Sequence, residues 1–296
     1  MIFIKIIVLG SSGMLGQELT RYFSSIGNDV VGVARNNADY NLDITDDKKL
    51  FGCFDVEKPD IIINTVAIVN LNECETDKGK SYLVNSRPAG VISEYCFDND
   101  IYFIQVSTDH YYYGDADKKH IETDKIYLLN EYARTKYVAE LLTLNNPNSL
   151  VIRTNIVGFR GRKNDTFVEW ALNSLKSQEH INVFDDYYTS SIDVYNFSKI
   201  LNDLIKDRPS GIFNIASSEV SSKKDFIFSL ADSFNLSHSN CTPSNINNDG
   251  LIRATSLGLN TEKVENIVGY KLPTLNEVTC SLKKSYDLLN ESGKNE

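Results

Sequence analysis

Tyr132-Ala-Arg-Thr-Lys136 sets a phenol and an ammonium four residues apart, on one face if the segment is helical. A phenol ordinarily titrates near about 10, so a neighbouring cation suits it to acid–base work closer to neutrality. Ser107-Thr108-Asp109 is a second polar group and directly follows the apolar run that ends at Val106. A third group, Gly10-Ser11-Ser12-Gly13-Met14-Leu15-Gly16, has the spacing GxxGxxG. Small residues at Gly10, Gly13 and Gly16 let the backbone of Ser12, Met14 and Leu15 approach a pyrophosphate at a helix N-terminus. The next strand ends at Ala34-Arg35, where an acidic residue would receive the ribose hydroxyls of NADH. Arg35 suits a 2′-phosphate instead, which favours NADPH with NADH as the alternative; it serves equally as a solvated surface residue. Asp43 and Ile44 are candidates for contact with the adenine.

Other polar residues give less. Arg160, Arg162, Lys163 and Arg253 could neutralise a diphosphate. Tyr111-Tyr112-Tyr113 could wall a pocket or fill the core. His110, His120, His180 and His238 lack metal-ligand spacing, so no metal is expected. The five cysteines form no CxxC pair, and an odd count fits reduced thiols in the cytoplasm.

Positioning these groups requires alternating strands and helices. Ile2–Leu9, Asp29–Ala34, Asp60–Asn64, Ile101–Val106, Leu150–Arg153 and Gly211–Ile215 read as strands, most of them continuously apolar and hence covered on both faces. Met14–Ile26, Ser81–Phe97 (with Pro88 at a kink or break), Glu131–Leu144 and Ser190–Lys206 read as helices. The rhythm predicts an α/β fold: a Rossmann-type doubly wound parallel sheet with a smaller C-terminal substrate-binding lobe. Residues 1–155, with 190–216 returning, form the nucleotide domain; 156–189 and 217–296 form the lobe. The 296 residues carry a net charge of −10, which argues against nucleic acid or an anionic membrane as partner. The apolar N-terminus runs straight into Gly10 and reads as a strand, neither a signal peptide nor a membrane span.

In this order the motifs resemble extended short-chain dehydrogenases/reductases, and among them the dTDP-4-dehydrorhamnose reductase-like group. The resemblance rests on the glycine loop, Asn64-Thr-Val-Ala67, Glu75, Val84-Asn85-Ser86, Val106-Ser-Thr-Asp109, Tyr132 with Lys136, Arg153-Thr154, and Arg253 followed by Leu259-Asn260-Thr-Glu-Lys263. It implies a catalytic set of Thr108, Tyr132 and Lys136. Tyr132 would protonate a carbonyl oxygen as NADPH delivers hydride to the carbon. Lys136 would bond the nicotinamide ribose and favour the tyrosinate, and Thr108 would orient the carbonyl. Val66, Ala67 and Asn85 are implied on the cofactor side, with Asn85 supporting the site between helix and strand. Val69, Asp109, Asn155 and Arg253 are implied on the substrate side. The implied substrate is a nucleotide-activated 4-keto-6-deoxy sugar used for cell-surface polysaccharide; a homodimer is left open. Three stretches depart from the family pattern: Ile68-Val69-Asn70-Leu71-Asn72, Arg153-Thr-Asn-Ile156, and Asp185-Asp-Tyr-Tyr-Thr-Ser-Ser191. All fall where the sugar would lie, which suggests the same chemistry on a different sugar. A nucleotide-sugar epimerase and a non-catalytic NADP-binding regulatory subunit are the alternatives.

Overall fold

Five segments that are apolar at nearly every position build the centre of the structure, a computed structural model describing residues 4–161, 165–246 and 253–292. Arg162 and Lys163 of the basic cluster lie outside the described residues, as do the first residues of the expected N-terminal strand. The chain divides into two compact units: 1–111, 127–153 and 201–213 in the first, 112–126, 154–200 and 214–296 in the second.

The first unit holds β1 (Lys5–Leu9), β2 (Asp29–Ala34), β3 (Tyr40–Asn41), β4 (Ile61–Asn64), β5 (Tyr102–Val106) and β6 (Ser149–Arg153). They lie side by side in the order 3-2-1-4-5-6, with Gly211–Asn214 beyond β6, in one seven-stranded sheet. Every pair from β3 to β6 is parallel, for example Leu9 with Asn64 and Asn64 with Gln105. The Rossmann-type α/β sheet is therefore present. Side chains alternate across it. Ile7 and Leu9 of β1 join Val31, Val33, Ile62 and Phe103 in one core. Helix α2 (Asp47–Glu57) covers that core with Leu50, Cys53 and Phe54. Ile6 and Val8, which alternate with them, are also fully buried.

Helix α1 (Met14–Ser25) follows β1 through the glycine loop. The remaining helices of the unit are α3 (Leu71–Thr76), α4 (Lys78–Asn85), α5 (Arg87–Asp98) and α6 (Glu131–Thr143). The single helix expected over Ser81–Phe97 is two. Pro88 lacks an N–H and clashes with a preceding turn, so it sits in the first turn of α5 and the chain breaks at Ser86. The polar stretch after Arg35 contains β3 and α2. Beside the short β3, Asp39 Oδ2 accepts from Gly32 N of β2 at 2.7 Å.

The second unit contains no comparable sheet among its described residues. It has a three-stranded sheet of Ser221–Ser222, Tyr188–Thr189 and Ser256–Leu257, and two two-stranded pairs. Its helices include Phe167–Ser177, Lys223–Ser233 and Leu275–Ser292. The helix expected from Ser190 instead begins at Val194, after the short strand Ile192–Asp193, and runs to Leu204. Among the described residues no helix is long and apolar enough to cross a membrane.

The glycine loop is tight at both ends and open in the middle. Gly10 has φ +84°, and a Cβ there would meet Thr65 Oγ1 at 2.5 Å. A Cβ on Gly16 would lie 2.1 Å from the Gly10 carbonyl oxygen, whereas one on Gly13 would meet that oxygen at 3.2 Å. The Gly16 contact is with backbone and cannot be relieved by a rotamer change. Gly16→Ala is expected to lose about 1–3 kcal/mol of stability in urea denaturation, with Gly13→Ala much closer to wild type. Equal stabilities for the two variants would show that the close approach of α1 to β1 is not real.

Candidate active site

Helix α6 is unusual in burying polar residues on most of its surface: Glu131, Tyr132, Thr135, Lys136, Glu140 and Thr143 are all buried. Local bonds fix its start. Asn130 caps it by accepting from Ala133 N at 2.9 Å, and Glu75 Oε1 of α3 accepts from Glu131 N at 2.8 Å. An acidic group at a helix N-terminus also answers the helix dipole. Further along, Ser86 Oγ donates to Thr135 O at 2.7 Å.

This helix brings Tyr132 to Thr108, the second residue past the end of β5. The Thr108 hydroxyl stands close enough to the Tyr132 phenol to act on it. Lys136, one turn on, donates from Nζ to the Val106 carbonyl at 2.7 Å. Thr108 and Lys136 are each 3% exposed and Tyr132 is 8% exposed. The three groups expected to be catalytic are thus gathered at the carboxyl end of one strand and on the helix beside it, the side where open α/β sheets hold ligands.

Burial moves the two titrating groups apart. It pushes the Tyr132 phenol up to about 12; the Asp109 carboxylate and Cys74 thiol add to the rise, and the Thr108 hydroxyl opposes it. It also lowers Lys136 to about 8, against the attraction of Glu140. The expected lowering of the phenol by Lys136 is therefore not what the structure shows. Desolvation outweighs other influences, and the ammonium is turned to a backbone carbonyl. A phenol that holds its proton at neutral pH is a proton donor, the role that carbonyl reduction requires.

The glycine loop leaves the start of α1 open. The N-cap residue Gly13 is exposed, and the first turn of α1 has no side-chain cap and no acidic residue, so its amides face no competing group there. Ser11 Oγ is buried with no hydrogen-bond partner among the described residues. Val66, in the loop after β4, lies against Gly10. A dinucleotide fits these residues.

Other expected residues have different environments. Asn85 is committed to the protein: Oδ1 accepts from Ile68 N at 2.7 Å, and Nδ2 donates to Ile68 O and Thr135 Oγ1 at 3.0 Å. It ties the loop after β4 to α6 and so positions the site. Ile44 is buried in the core around α2. Asp43 is held below the usual carboxylate range by the N–H and hydroxyl of Thr45. Arg35 is exposed and acts electrostatically on Asp43. Ala67 is half-buried and Val69 exposed, both in the loop after β4. Asp109 is buried, its Oδ1 3.5 Å from Thr108 Oγ1. Asn155 belongs to the second unit, where its Oδ1 accepts from Ser191 Oγ at 2.8 Å. Arg253, also in the second unit, is exposed outside any helix or strand. Tyr111 and Tyr112 are fully buried and Tyr113 is exposed.

Two groups beside Tyr132 were not read from the sequence. The His110 ring stands edge-on to the Tyr132 ring, 5.5 Å between centroids. The Cys74 thiol of α3 is buried close enough to influence the phenol. Neither carries a spacing signal, because contact with Tyr132 arises only when the loops after β4 and β5 fold beside α6.

The lowered Lys136 has a stability consequence with a definite sign. Between about pH 8 and 10.5 the unfolded chain binds more protons at this residue than the folded one, so its destabilising cost, about 3 kcal/mol below pH 8, fades as pH rises. Lys136→Met lacks that titration. Raising pH from 7 to 9.5 is therefore expected to shift the stability difference by about 2 kcal/mol in favour of wild type, measured by paired denaturant titrations. A pH-independent difference would mean that Lys136 is not desolvated.

Comparison with known proteins agrees with this geometry. The RmlD substrate binding domain family matches residues 4–287. A Haloferax volcanii protein described as a probable low-salt glycan biosynthesis reductase is 28% identical over 229 residues, 74% of this chain and 76% of its own. A dTDP-4-dehydrorhamnose reductase of Aggregatibacter actinomycetemcomitans is 29% identical over 183 residues, 62% of this chain and 60% of its own. A crystal structure of dTDP-4-dehydrorhamnose reductase from Bacillus anthracis in complex with NADP superposes with TM-score 0.86 at 19% identity, over 96% of this chain and 99% of that one. With a family match across nearly its whole length, the chain belongs to the RmlD substrate binding domain family.

Proposed function

We propose that this protein is an NADPH-dependent oxidoreductase that reduces the keto group of a nucleotide-activated 4-keto-6-deoxy sugar, for cell-surface polysaccharide synthesis. The observation that carries the reading is the burial of Tyr132 beside Thr108, with the phenol keeping its proton and Lys136 held one turn away on the Val106 carbonyl. Relatives named as a glycan biosynthesis reductase and as dTDP-4-dehydrorhamnose reductase support the substrate class. The relative solved with NADP supports the cofactor.

The bound cofactor supplies the hydride. The loop from Gly10 to Gly16 and the first amides of α1 would hold the pyrophosphate, with Val66 and Ala67 alongside. Arg35 would meet the 2′-phosphate, and Lys136 would bond the nicotinamide ribose. Thr108 orients the carbonyl, and Tyr132 gives its proton to the carbonyl oxygen as the hydroxyl forms. Val69 and Asp109 stand on the substrate side. The working compartment is the cytoplasm, a reading supported by the free thiols Cys53, Cys74 and Cys96 in the interior.

The test is turnover of dTDP-, UDP-, GDP- and CDP-4-keto-6-deoxy sugars with NADPH. Cofactor oxidation is expected to match sugar reduced, mole for mole. Tyr132→Phe is expected to lower turnover by about 10²-fold or more while NADPH affinity, read by fluorescence, is retained. A Tyr132→Phe variant at the wild-type rate would remove the proton-donor assignment. Reduction of none of these sugars would favour a regulatory subunit, and interconversion of sugars on tightly held NAD(H) an epimerase.

Cofactor choice is a separate outcome. NADPH is expected to bind more tightly than NADH, and Arg35→Ala to narrow that gap by about 10- to 100-fold, the worth of a charge-assisted hydrogen bond. Equal wild-type affinities would sink the role of Arg35.

A further inference from the structure

Adjacent to the three catalytic residues is a second polar cluster that the proposed chemistry does not use. Ser107 directly precedes Thr108, Glu140 lies one helical turn past Lys136, and Arg153 ends β6. Glu140 is fully buried, Arg153 is 2% exposed and Ser107 is 6% exposed. Ser107 Oγ donates to Glu140 Oε1 at 2.6 Å. Arg153 donates from Nε to Oε1 at 3.1 Å and from its terminal nitrogen to Oε2 at 2.7 Å. The Tyr111 ring lies 5.0 Å from the Arg153 guanidinium carbon, and its hydroxyl is 3.2 Å from Ser107 Oγ. One carboxylate on α6 therefore holds side chains from the ends of both β5 and β6.

We propose that Glu140 is a positioning residue of the active site: it locks the peptide carrying Thr108 against the helix carrying Tyr132 and Lys136, and it supplies the counter-charge one turn from the Lys136 ammonium. The inference rests on the reductase reading above.

Two physical effects support it. Thr108 is bonded through its peptide to Ser107, so anchoring the Ser107 side chain limits where the Thr108 hydroxyl can stand, and displacements of about 1 Å at such a group cost about 10²-fold in rate. The second effect is electrostatic. Residues four apart on a helix face each other, and a buried carboxylate favours a nearby ammonium. Glu140 does raise the proton affinity of Lys136, partly offsetting its desolvation.

The other groups around α6 do not replace this charge. From the end of β5 come Asp109 and Tyr111, and from β6 Arg153, which is paired with Glu140 itself. From α3 and α4 come Cys74, Glu75 and Lys78. Glu75 and Lys78 bond Glu131 at the opposite end of the helix. Helix α5 and the Ser86 break before it meet α6 through hydroxyls, Ser93 Oγ on Thr143 O and Ser86 Oγ on Thr135 O.

The two effects separate by mutation of the full chain, read as kcat, KM and kcat/KM against pH with NADPH and the reduced sugar nucleotide, and as NADPH affinity against pH. Ser107→Ala removes the anchor and leaves the charge. It is expected to lower kcat about tenfold, with KM within about twofold and an unmoved basic limb. Glu140→Gln keeps an acceptor for Ser107 and removes the charge. Lys136 then loses its proton more easily, so the basic limb of kcat/KM, and the pH at which NADPH affinity falls, are expected to move down by about 1. Should Glu140→Gln misfold with Arg153 left unpaired, Glu140→Gln with Arg153→Gln keeps the site neutral and carries the same expectation. Folded variants with the wild-type kcat and an unmoved basic limb, or a loss of melting temperature alone, would make the cluster structural and overturn the proposal. If the wild type reduced no sugar nucleotide, the reductase reading would fall; the pH dependence of NADPH affinity would still decide the role of Glu140.

Discussion

A helix whose buried side is polar is stable only if most of those groups find a partner. Helix α6 imposes that condition, and the surrounding elements answer it for all but the Thr143 hydroxyl, which has no hydrogen-bond partner among the described residues. Asn130 and Glu75 take up amides at its start, Asn85 and Ser86 meet Thr135, Ser93 meets Thr143, and Lys136 reaches the carbonyl of Val106. These partners come from α3, α4, α5 and the break before it, and β5, so the geometry of Thr108, Tyr132 and Lys136 is set by much of the first unit. The buried ammonium of Lys136 is the least favourable member for folding. Stability given up at a site in exchange for chemistry is a general pattern among enzymes.

Much of this could be read from the chain. The central strands are continuous apolar runs, which the burial of parallel sheets demands, and β2, β4, β5 and β6 lie within two residues of their expected bounds. The glycine loop was legible because strand, glycines and helix follow one another without a gap. Tyr132 and Lys136 stand out by their four-residue spacing, and the role expected of them comes from the family resemblance. The buried side of α6 is polar, so apolar periodicity says little about which way the helix faces.

What could not be read depended on distant partners. Glu140 gains meaning only through Ser107 and Arg153, 33 and 13 residues away. The supporting role expected of Asn85 takes a concrete form only through Ile68 and Thr135, which occupy its amide. Ile44, next to a polar aspartate, is an ordinary core residue. The break at Ser86 was ambiguous because a proline can bend a helix or begin one, and the bonds that Asn85 and Ser86 make to α6 accompany the second outcome. In the second unit, strands of two residues have too little pattern to stand out from loops.

The Asp39 carboxylate beside β2 bears on how copies of this chain meet one another. A sheet border exposes unpaired amides that invite another chain to add a strand. Here β3 continues the sheet for only two residues, and the amide of Gly32 just before that pairing is taken up by Asp39. An acidic side chain thus stands in for a missing strand. It satisfies the amide and puts a negative charge where an incoming backbone would have to dock, so this border of the sheet is protected from edge-to-edge aggregation.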